Sequence, residues 1–346
     1  MGTRTWRVAM QEALYGTGGF YHRPEGGPGH HFRTSSSASP HFARAVARLL
    51  DRVDEALGRP DVVDLIEIAA ARGALLTAVA AVLPEEAPKL VGRVRLGGVE
   101  LAARPELLPA DIEWHADLHE RPPVQGLLLA NEWLDNVPLD VVIETDDGPR
   151  LLVVDDCGVE SPGPPPSSGQ VAWLERWWRA RAVGDHAEIG QTRDDAWAAA
   201  VKRVALGVAV AIDYGHSQDD RDNGMYAGGS LTGYRDGRQA DPVPDGSMDI
   251  TAHVAMDSVA AAGADVAGAT AVVTDQRFAL RALGVSGTLP DRSLADFDPR
   301  AYLLALQAAG QQAELTDRGG LGSFRWVLQP VGVPLPLQVP PDQAFA

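Results

Sequence analysis

Several predicted strands end in an acidic or amide side chain, and such side chains can bind a ligand at one edge of a sheet. They are Glu67, Glu100, Asp117, Asn131 with Glu132, and Asp213. In a parallel sheet the carboxyl ends of the strands lie at the same edge, where ligands bind in such folds. Carboxylates there can accept hydrogen bonds from ribose hydroxyls, so this order predicts a nucleoside cofactor. The alternative for any single acid is that it caps a helix or lies in a solvated turn.

Glu132 and Asp135 form a second feature, because their spacing places both carboxylates on one face of a turn. A guanidinium or amine nucleophile needs carboxylates that orient it and accept its proton. The pair is suited to that chemistry. The alternative is that Asp135 caps the next helix and that Pro138 fixes the turn, and the residues alone leave both interpretations open.

The histidine pair and the single cysteine predict neither a metal site nor a nucleophile. His115 and His119 are four residues apart, but no third metal ligand accompanies them in the sequence, so we predict no metal site. Cys157 follows two aspartates, and acidic neighbours disfavour the thiolate that a nucleophilic cysteine requires. As a single cysteine it cannot form an internal disulfide, which is typical of a reducing compartment.

The elements that must position these residues alternate between strands and helices. Apolar, β-branched runs predict buried strands over residues 61–68, 91–100, 124–130 and 204–212. Helical spacing predicts helices between them, so we expect an α/β fold with a mostly parallel sheet and helices on both faces. Residues 141–154 predict strands joined in a hairpin, whereas residues 1–35 predict loops.

Composition limits the partners. The formal net charge is −17 and 45% of the residues are hydrophobic, which is enough for an ordinary core. The acidic charge disfavours nucleic acid, and neither a membrane-spanning run nor a signal peptide is predicted. We therefore expect a cytoplasmic protein with no nucleic-acid or membrane partner. The oligomeric state is left open, with a homodimer as one option.

Four segments resemble the MidA-type S-adenosylmethionine (SAM) dependent methyltransferases, a family that includes the mitochondrial complex I assembly factor that methylates a protein arginine. The segments are Met10–Ser35, Glu67–Gly73, Leu129–Pro138 and Ile212–Val254. Their specific parts are Asn131-Glu132-Trp133-Leu134-Asp135 and Asp213-Tyr214-Gly215-His216. The resemblance implies a class I SAM-methyltransferase fold, which is Rossmann-like, with SAM as the cofactor and a protein or small molecule as the methyl acceptor.

The resemblance also implies roles for individual residues. The implied cofactor-binding residues are Phe32, Thr34, Glu67, Gly73, Glu100, Asp117, Leu118 and Asn131. Among them, Glu67 and Gly73 would lie beside the methionine part of SAM, and Glu100 would bind its ribose. The implied catalytic residues are Glu132, Asp135, Asp213 and His216, which would face the methyl-transfer centre and the acceptor.

We predict three parts along the chain. Residues 1–55 form an N-terminal segment over the cofactor pocket, 56–330 form the SAM-methyltransferase-like domain, and 331–346 form a proline-rich tail. The domain carries an insertion at about 158–200 and a loop at about 217–247.

One segment departs from the family pattern. The family has Gly-Pro-Gly-x-Gly after the first strand, and this chain has Ala69-Ala70-Ala71-Arg72-Gly73. Alanine costs on the order of 1 kcal/mol wherever the loop needs a left-handed conformation. Three hypotheses follow: a methyltransferase acting on a protein side chain, arginine by family resemblance; one acting on a small molecule; or a non-catalytic binding or assembly protein. The altered loop favours the third, and the preserved motifs favour the first two.

Overall fold

The computed structural model describes residues 2–23, 39–179, 182–235 and 237–338. The helices are α1 (Trp6–Tyr15), α2 (Pro40–Ala56), α3 (Ala74–Glu86), α4 (Ser168–Trp177), α5 (Gln191–Val201), α6 (Gln218–Asp222), α7 (Met256–Ala267), α8 (Gln276–Ala282), α9 (Ser293–Phe297) and α10 (Pro299–Leu315). The strands are β1 (Arg4–Thr5), β2 (Val63–Ile68), β3 (Val94–Val99), β4 (Ile112–His115), β5 (Val124–Asn131), β6 (Asp140–Thr145), β7 (Gly148–Val154), β8 (Glu160–Pro162), β9 (His186–Ile189), β10 (Val204–Asp213), β11 (Gly215–His216), β12 (Thr232–Arg235), β13 (Arg238–Ala240), β14 (Asp249–Thr251), β15 (Val254–Ala255), β16 (Val272–Asp275) and β17 (Arg325–Val331).

The chain divides into two compact units. The sheet unit comprises Arg33–Asn131, Val201–Ile212 and Ala267–Ala346. The mixed unit comprises Met1–Phe32, Glu132–Ala200 and Asp213–Val266.

The sheet unit is built on a seven-stranded sheet with the order β16-β17-β10-β5-β2-β3-β4. Strands β2, β3, β4, β5 and β10 pair in parallel, whereas β16 and β17 pair antiparallel. Every residue of β2 is buried, as expected of a parallel strand covered on both faces. The mostly parallel sheet that the sequence predicts is confirmed.

Helix α2 shows how sequence sets the packing of this unit. Phe42, Val46, Leu49, Leu50 and Val53 recur at helical spacing, and all are buried. The helix begins after Ser39, whose hydroxyl accepts a hydrogen bond from the His41 N–H at 3.1 Å, as an N-cap does.

The mixed unit is largely antiparallel. Strands β1, β7, β6 and β9 form one sheet in that order, with β8 paired to β7, and β13, β12 and β14 form another. The predicted hairpin is confirmed as β6 and β7, with Thr145 opposite Gly148 at the turn. The segment at about 217–247, predicted as a loop, contains α6, β12 and β13.

The prediction of loops over residues 1–35 is wrong for the first part of that range, because Trp6–Tyr15 form α1. Trp6, Ala9, Met10, Ala13 and Leu14 are spaced three or four residues apart and are all buried on one face. They join the core of the mixed unit, so tertiary packing stabilises a helix that local composition did not predict. None of the helices in the described part of the chain is both long and apolar enough to cross a membrane.

Candidate functional site

The strand register brings the predicted acids of the sheet unit to one edge. Ile68, at the end of β2, pairs with Val99 of β3 and Ala130 of β5, and Asn131 pairs with Ile212 of β10. The carboxyl ends of neighbouring parallel strands are therefore level, which is the arrangement that forms ligand sites in α/β sheets.

Glu67 is a strongly perturbed acid at this edge. Its side chain is buried, and its Oε2 atom has no hydrogen-bond partner among the described residues. Burial, reinforced by the negative charge of Glu100, raises the pKa of Glu67 to about 8. A buried carboxyl oxygen without a partner is costly, so this position fits a ligand that supplies a donor or a positive charge.

The loop after β2 holds left-handed conformations without the expected glycines. Ala69 has φ 54° and Ala71 has φ 48°, while Gly73 at the start of α3 has φ 70°. A Cβ on Gly73 would lie 2.4 Å from Leu108 Cδ1, so the Leu108 side chain would have to move, and the left-handed φ of this position itself favours glycine. Alanine thus occupies two positions that favour glycine, and the loop carries the strain.

We expect the substitution Ala71→Gly to stabilise the protein by about 1 kcal/mol, because glycine adopts φ > 0 without steric cost. Ala71 is exposed, so no packing is lost. Urea denaturation measures the change. The matched control is Ala103→Gly, at an exposed alanine with ordinary φ, which should be slightly destabilising. If both substitutions changed the free energy of unfolding in the same direction, the proposed strain at Ala71 would be contradicted.

Glu100 fixes this loop. Its Oε2 accepts the N–H of Ala71 at 2.9 Å, and its Oε1 accepts the N–H of Ala102 at 3.2 Å. Each carboxylate oxygen has more than one acceptor site, so Glu100 keeps capacity for further donors such as ribose hydroxyls. The structure therefore brings Glu67, Glu100 and the 69–73 loop together.

The other predicted cofactor residues occupy varied positions. Asp117 caps the 3₁₀ turn Leu118–Glu120 by accepting the N–H of His119 at 2.7 Å, and Leu118 itself is buried. Asn131 is buried at the end of β5. Phe32 and Thr34 lie outside the described residues.

Asp135 is the centre of a buried polar network in the mixed unit. Its Oδ2 accepts hydrogen bonds from the Tyr214 hydroxyl and from Thr251 Oγ1, the latter at 2.8 Å. Burial raises the pKa of Asp135, and the two hydroxyl donors act in the opposite direction. Sequence motifs pointed to Asp135 itself, but Tyr214 and Thr251 were not predicted as its partners.

Asp213 supports the turn that carries Asp135. Its Oδ2 accepts the backbone N–H groups of Leu134 at 3.0 Å and Asp135 at 3.2 Å. Burial and the charge of Asp135 raise the pKa of Asp213 well above its ordinary value. Glu132 precedes this turn with φ 53°, a strained conformation for a residue other than glycine.

Arg193 on α5 belongs to the same network, and the sequence did not predict it as a site residue. Its buried guanidinium donates to the carbonyl oxygens of Asp135 at 2.5 Å, Val137 at 3.2 Å, Ala252 at 3.0 Å and His253 at 2.9 Å. One side chain therefore joins the turn of Asp135 to the segment after β14. No local motif marks such a residue, because its four partners come from two distant parts of the chain.

Asp249 belongs to the same network, although no sequence motif predicts an individual role for it. It accepts hydrogen bonds from Asn136 Nδ2 at 2.8 Å and from the Tyr21 hydroxyl at 3.2 Å. Burial and the charge of Asp135 raise the pKa of Asp249 to about 7.

His216 lies in an aromatic cluster. Its Nδ1 is 2.7 Å from Arg221 Nη1, and its ring contacts those of Trp178 and Tyr226. Burial and the charge of Arg221 lower the pKa of His216 well below its ordinary value, so the ring is neutral. Within the described parts of the chain, no hydrogen bond joins His216 to Asp135 or Asp213.

Among the described residues, no group of three or more His, Cys, Asp or Glu side chains is arranged to hold a metal ion. The mostly parallel sheet, the buried Glu67 and the loop bound by Glu100 instead define an α/β protein with an edge suited to a nucleoside cofactor.

Comparison with known proteins gives the family. Residues 45–274 match a family model described as an S-adenosyl-L-methionine-dependent methyltransferase. Since this match covers more than half of the chain, the protein belongs to that family and is a SAM-dependent methyltransferase. No curated protein matches the sequence.

Two solved structures share the fold. One is a COG1565 superfamily member from Burkholderia thailandensis bound to S-adenosyl-homocysteine, with 24% identity, a TM-score of 0.78 and coverage of 96% of this chain and 89% of that one. The other is a native COG1565 superfamily protein from the same organism, with 25% identity, a TM-score of 0.75 and coverage of 96% and 88%. The residues present here fit SAM, since Glu67 offers an unsatisfied buried carboxyl oxygen and Glu100 a carboxylate with spare acceptor sites.

Proposed function

We propose that the protein is a cytoplasmic MidA-type enzyme that transfers the methyl group of SAM to a nitrogen of a protein side chain, arginine in particular. The observation that carries this proposal is the buried Asp135, which lies three residues after Glu132 and accepts hydrogen bonds from Tyr214 and Thr251. A carboxylate fixed in this way is suited to a cationic acceptor.

Bound SAM supplies an electrophilic methyl group for an in-line displacement. The residues of this chain position the reactants and manage charge, which accounts for much of the rate in such reactions. Glu132 and Asp135 orient the acceptor nitrogen, and Asp135 takes up its proton. Asp213 acts through Asp135, because its carboxylate holds the N–H groups of the turn that carries it. His216, buried and neutral, lines the acceptor side.

The cofactor roles follow the same proposal. Glu67 and Gly73 adjoin the methionine part of SAM, Glu100 binds the ribose hydroxyls, and Asp117 with Leu118 borders the adenine. The conformation of the loop supports this assignment. Ala69 and Ala71 adopt left-handed φ values. The hypothesis of a non-catalytic protein depends on alanine disfavouring this conformation, but the loop adopts it with alanine present.

Methyl transfer from isotopically labelled SAM tests the acceptor. The full chain is incubated with arginine-containing peptides and, separately, with a fraction of small metabolites, and the products are identified by mass spectrometry. Methylarginine in the peptides is the expected result. Label found only in the small-metabolite fraction would contradict the protein acceptor and favour the small-molecule methyltransferase.

The raised pKa of Glu67 leads to a pH dependence of SAM binding. Below pH 8 the buried Glu67 carboxyl holds a proton. The positively charged sulfonium of bound SAM favours the ionised form of this carboxyl. We therefore expect SAM affinity to rise between pH 6 and 8 by up to about tenfold per pH unit. The substitution Glu67→Gln should make the affinity independent of pH in this range, as followed by calorimetry.

The Glu67 carboxyl also makes the free energy of unfolding depend on pH. Its folded pKa of about 8 exceeds the ordinary value of 4.5, so the folded state binds the proton more tightly. The free energy of unfolding should fall as pH rises from 4.5 to 8, by up to about 1.4 kcal/mol per pH unit from this group. Glu67→Gln should remove this contribution to the pH dependence of the free energy of unfolding. Glu106→Gln, at an exposed position, should retain it.

A further inference from the structure

Three arginines line an open cavity in the sheet unit. Arg277 and Arg281 are one turn apart on α8, and Arg318 follows α10. The cavity has a volume of about 360 Å³, which falls within the range of about 300–1,000 Å³ found for small-molecule sites. It is formed by residues that no role proposed above involves.

The three guanidinium groups have no ion pair or side-chain hydrogen bond with any described residue. The Nε atom of Arg277 is buried as well as unpartnered, although arginine is seldom left unpaired when buried. Burial, followed by the charges of Arg281 and Arg318, lowers the pKa of Arg277. The positive charges therefore act on one another across the cavity.

Helix capping does not explain this cluster. The carbonyl oxygens at the end of α8 are already bound by arginines of α2, since Arg48 Nη1 donates to Leu283 at 2.7 Å and Arg52 Nη2 donates to Ala282 at 2.7 Å. Arg281 is thus not needed to satisfy the end of its own helix.

The charge balance points to the class of ligand. The cavity lining has three arginines and a single carboxylate, Asp317, among the described residues, which leaves a surplus of two positive charges in a chain of net charge −17. A phosphate monoester carries a charge of about −1.5 to −2 at neutral pH and offers three oxygens. Guanidinium groups bind such oxygens in fixed, often bidentate geometry.

We infer that this cavity is a binding site for a small phosphorylated molecule, whose phosphate is held by Arg277, Arg281 and Arg318. The site is separate from Glu67 and Glu100 in its residues and needs neither SAM nor a methyl acceptor. Failure of this inference can therefore be distinguished from failure of the proposed methyltransferase function.

Calorimetric titration of the full chain with inorganic phosphate, and then with phenyl phosphate, tests the inference in the absence of SAM. We expect saturable binding that weakens at least tenfold in the double variant Arg281→Gln with Arg318→Gln. The control is Arg300→Gln, which removes an exposed arginine from the start of α10 and should leave the affinity unchanged. Arg277 is kept in all variants because it is partly buried.

Higher salt should weaken the binding, since the ligand is recognised by charge. The inference is overturned if phosphate at about 10 mM shows no saturable binding. It is equally overturned if Arg300→Gln weakens the binding as much as the double variant does, because the effect would then reflect overall charge. Thermal unfolding of each variant confirms that the double variant is folded under the conditions of the titration.

Discussion

Replacement of Arg193 by alanine is expected to lower the free energy of unfolding by on the order of 4 kcal/mol, among the largest effects of a single substitution in this protein. The guanidinium is buried and donates to four carbonyl oxygens. Its removal takes the guanidinium donor from those buried oxygens, of which the Asp135 oxygen keeps the N–H of Ala252 at 3.2 Å. Each buried polar group that loses its partner costs about 1–3 kcal/mol, reduced where water enters the space.

Urea denaturation followed by circular dichroism measures this loss. Arg193→Lys should rescue little of it, because an ammonium group cannot reach four carbonyl oxygens with the planar geometry of a guanidinium. The matched control is Arg238→Ala at an exposed position of β13, which should change stability by less than about 0.5 kcal/mol. Equal effects of Arg193→Ala and Arg238→Ala would show that the carbonyl cluster does not depend on Arg193.

The second large effect concerns Asp135. We expect Asp135→Asn to reduce methyl transfer by about 100-fold or more, since a positioned general base contributes about 10²–10⁴ in rate. The substitution keeps the size of the side chain and one acceptor oxygen for Tyr214 and Thr251, but it removes the charge that orients a cationic acceptor.

The affinity for SAM separates a catalytic role from a structural one. It should stay within about twofold of the unsubstituted protein in Asp135→Asn, because the proposed cofactor residues are others. Tyr214→Phe should have a smaller effect, since the carboxylate keeps its charge and its bond from Thr251. Asp219→Asn, at an exposed position, serves as the control. Full activity in Asp135→Asn, or loss of SAM binding together with activity, would contradict the proposed role.

The sheet and its acids could be predicted from the sequence because both are local features. Strands β2 and β5 are rich in Val, Leu and Ile, and the acid or amide at or near the end of each needs only the rule that parallel strands share an edge. The helix α1 was missed because glycine-rich and aromatic neighbours dominate the composition of residues 1–35, while its buried face packs against strands distant in the chain. The apolar residues of α1 do recur at helical spacing, and that spacing is the local signal that could have predicted the helix.

In the candidate site, too, the local features could be predicted from the sequence and the long-range contacts could not. The pairing of Glu100 with the N–H of Ala71 joins residues 29 positions apart, and the sequence predicted the two segments but not the bond. The network of Asp135 draws partners from Arg193, Tyr214 and Thr251, which no spacing rule connects. The sequence also indicated the cost of alanine in the loop after β2, but only the structure shows that Ala69 and Ala71 adopt the strained conformation.

The most direct test of SAM binding at this edge is calorimetric titration of the protein with SAM, alongside the variant Glu100→Ala. The substitution removes the acceptor of the Ala71 and Ala102 N–H groups and the proposed ribose ligand. We expect saturable binding with a Kd in the micromolar range, weakened at least tenfold in Glu100→Ala, a loss of about 1.4 kcal/mol or more. Equal SAM affinity in both proteins, or no binding at about millimolar SAM, would contradict a cofactor site built on Glu67, Glu100 and the loop between them.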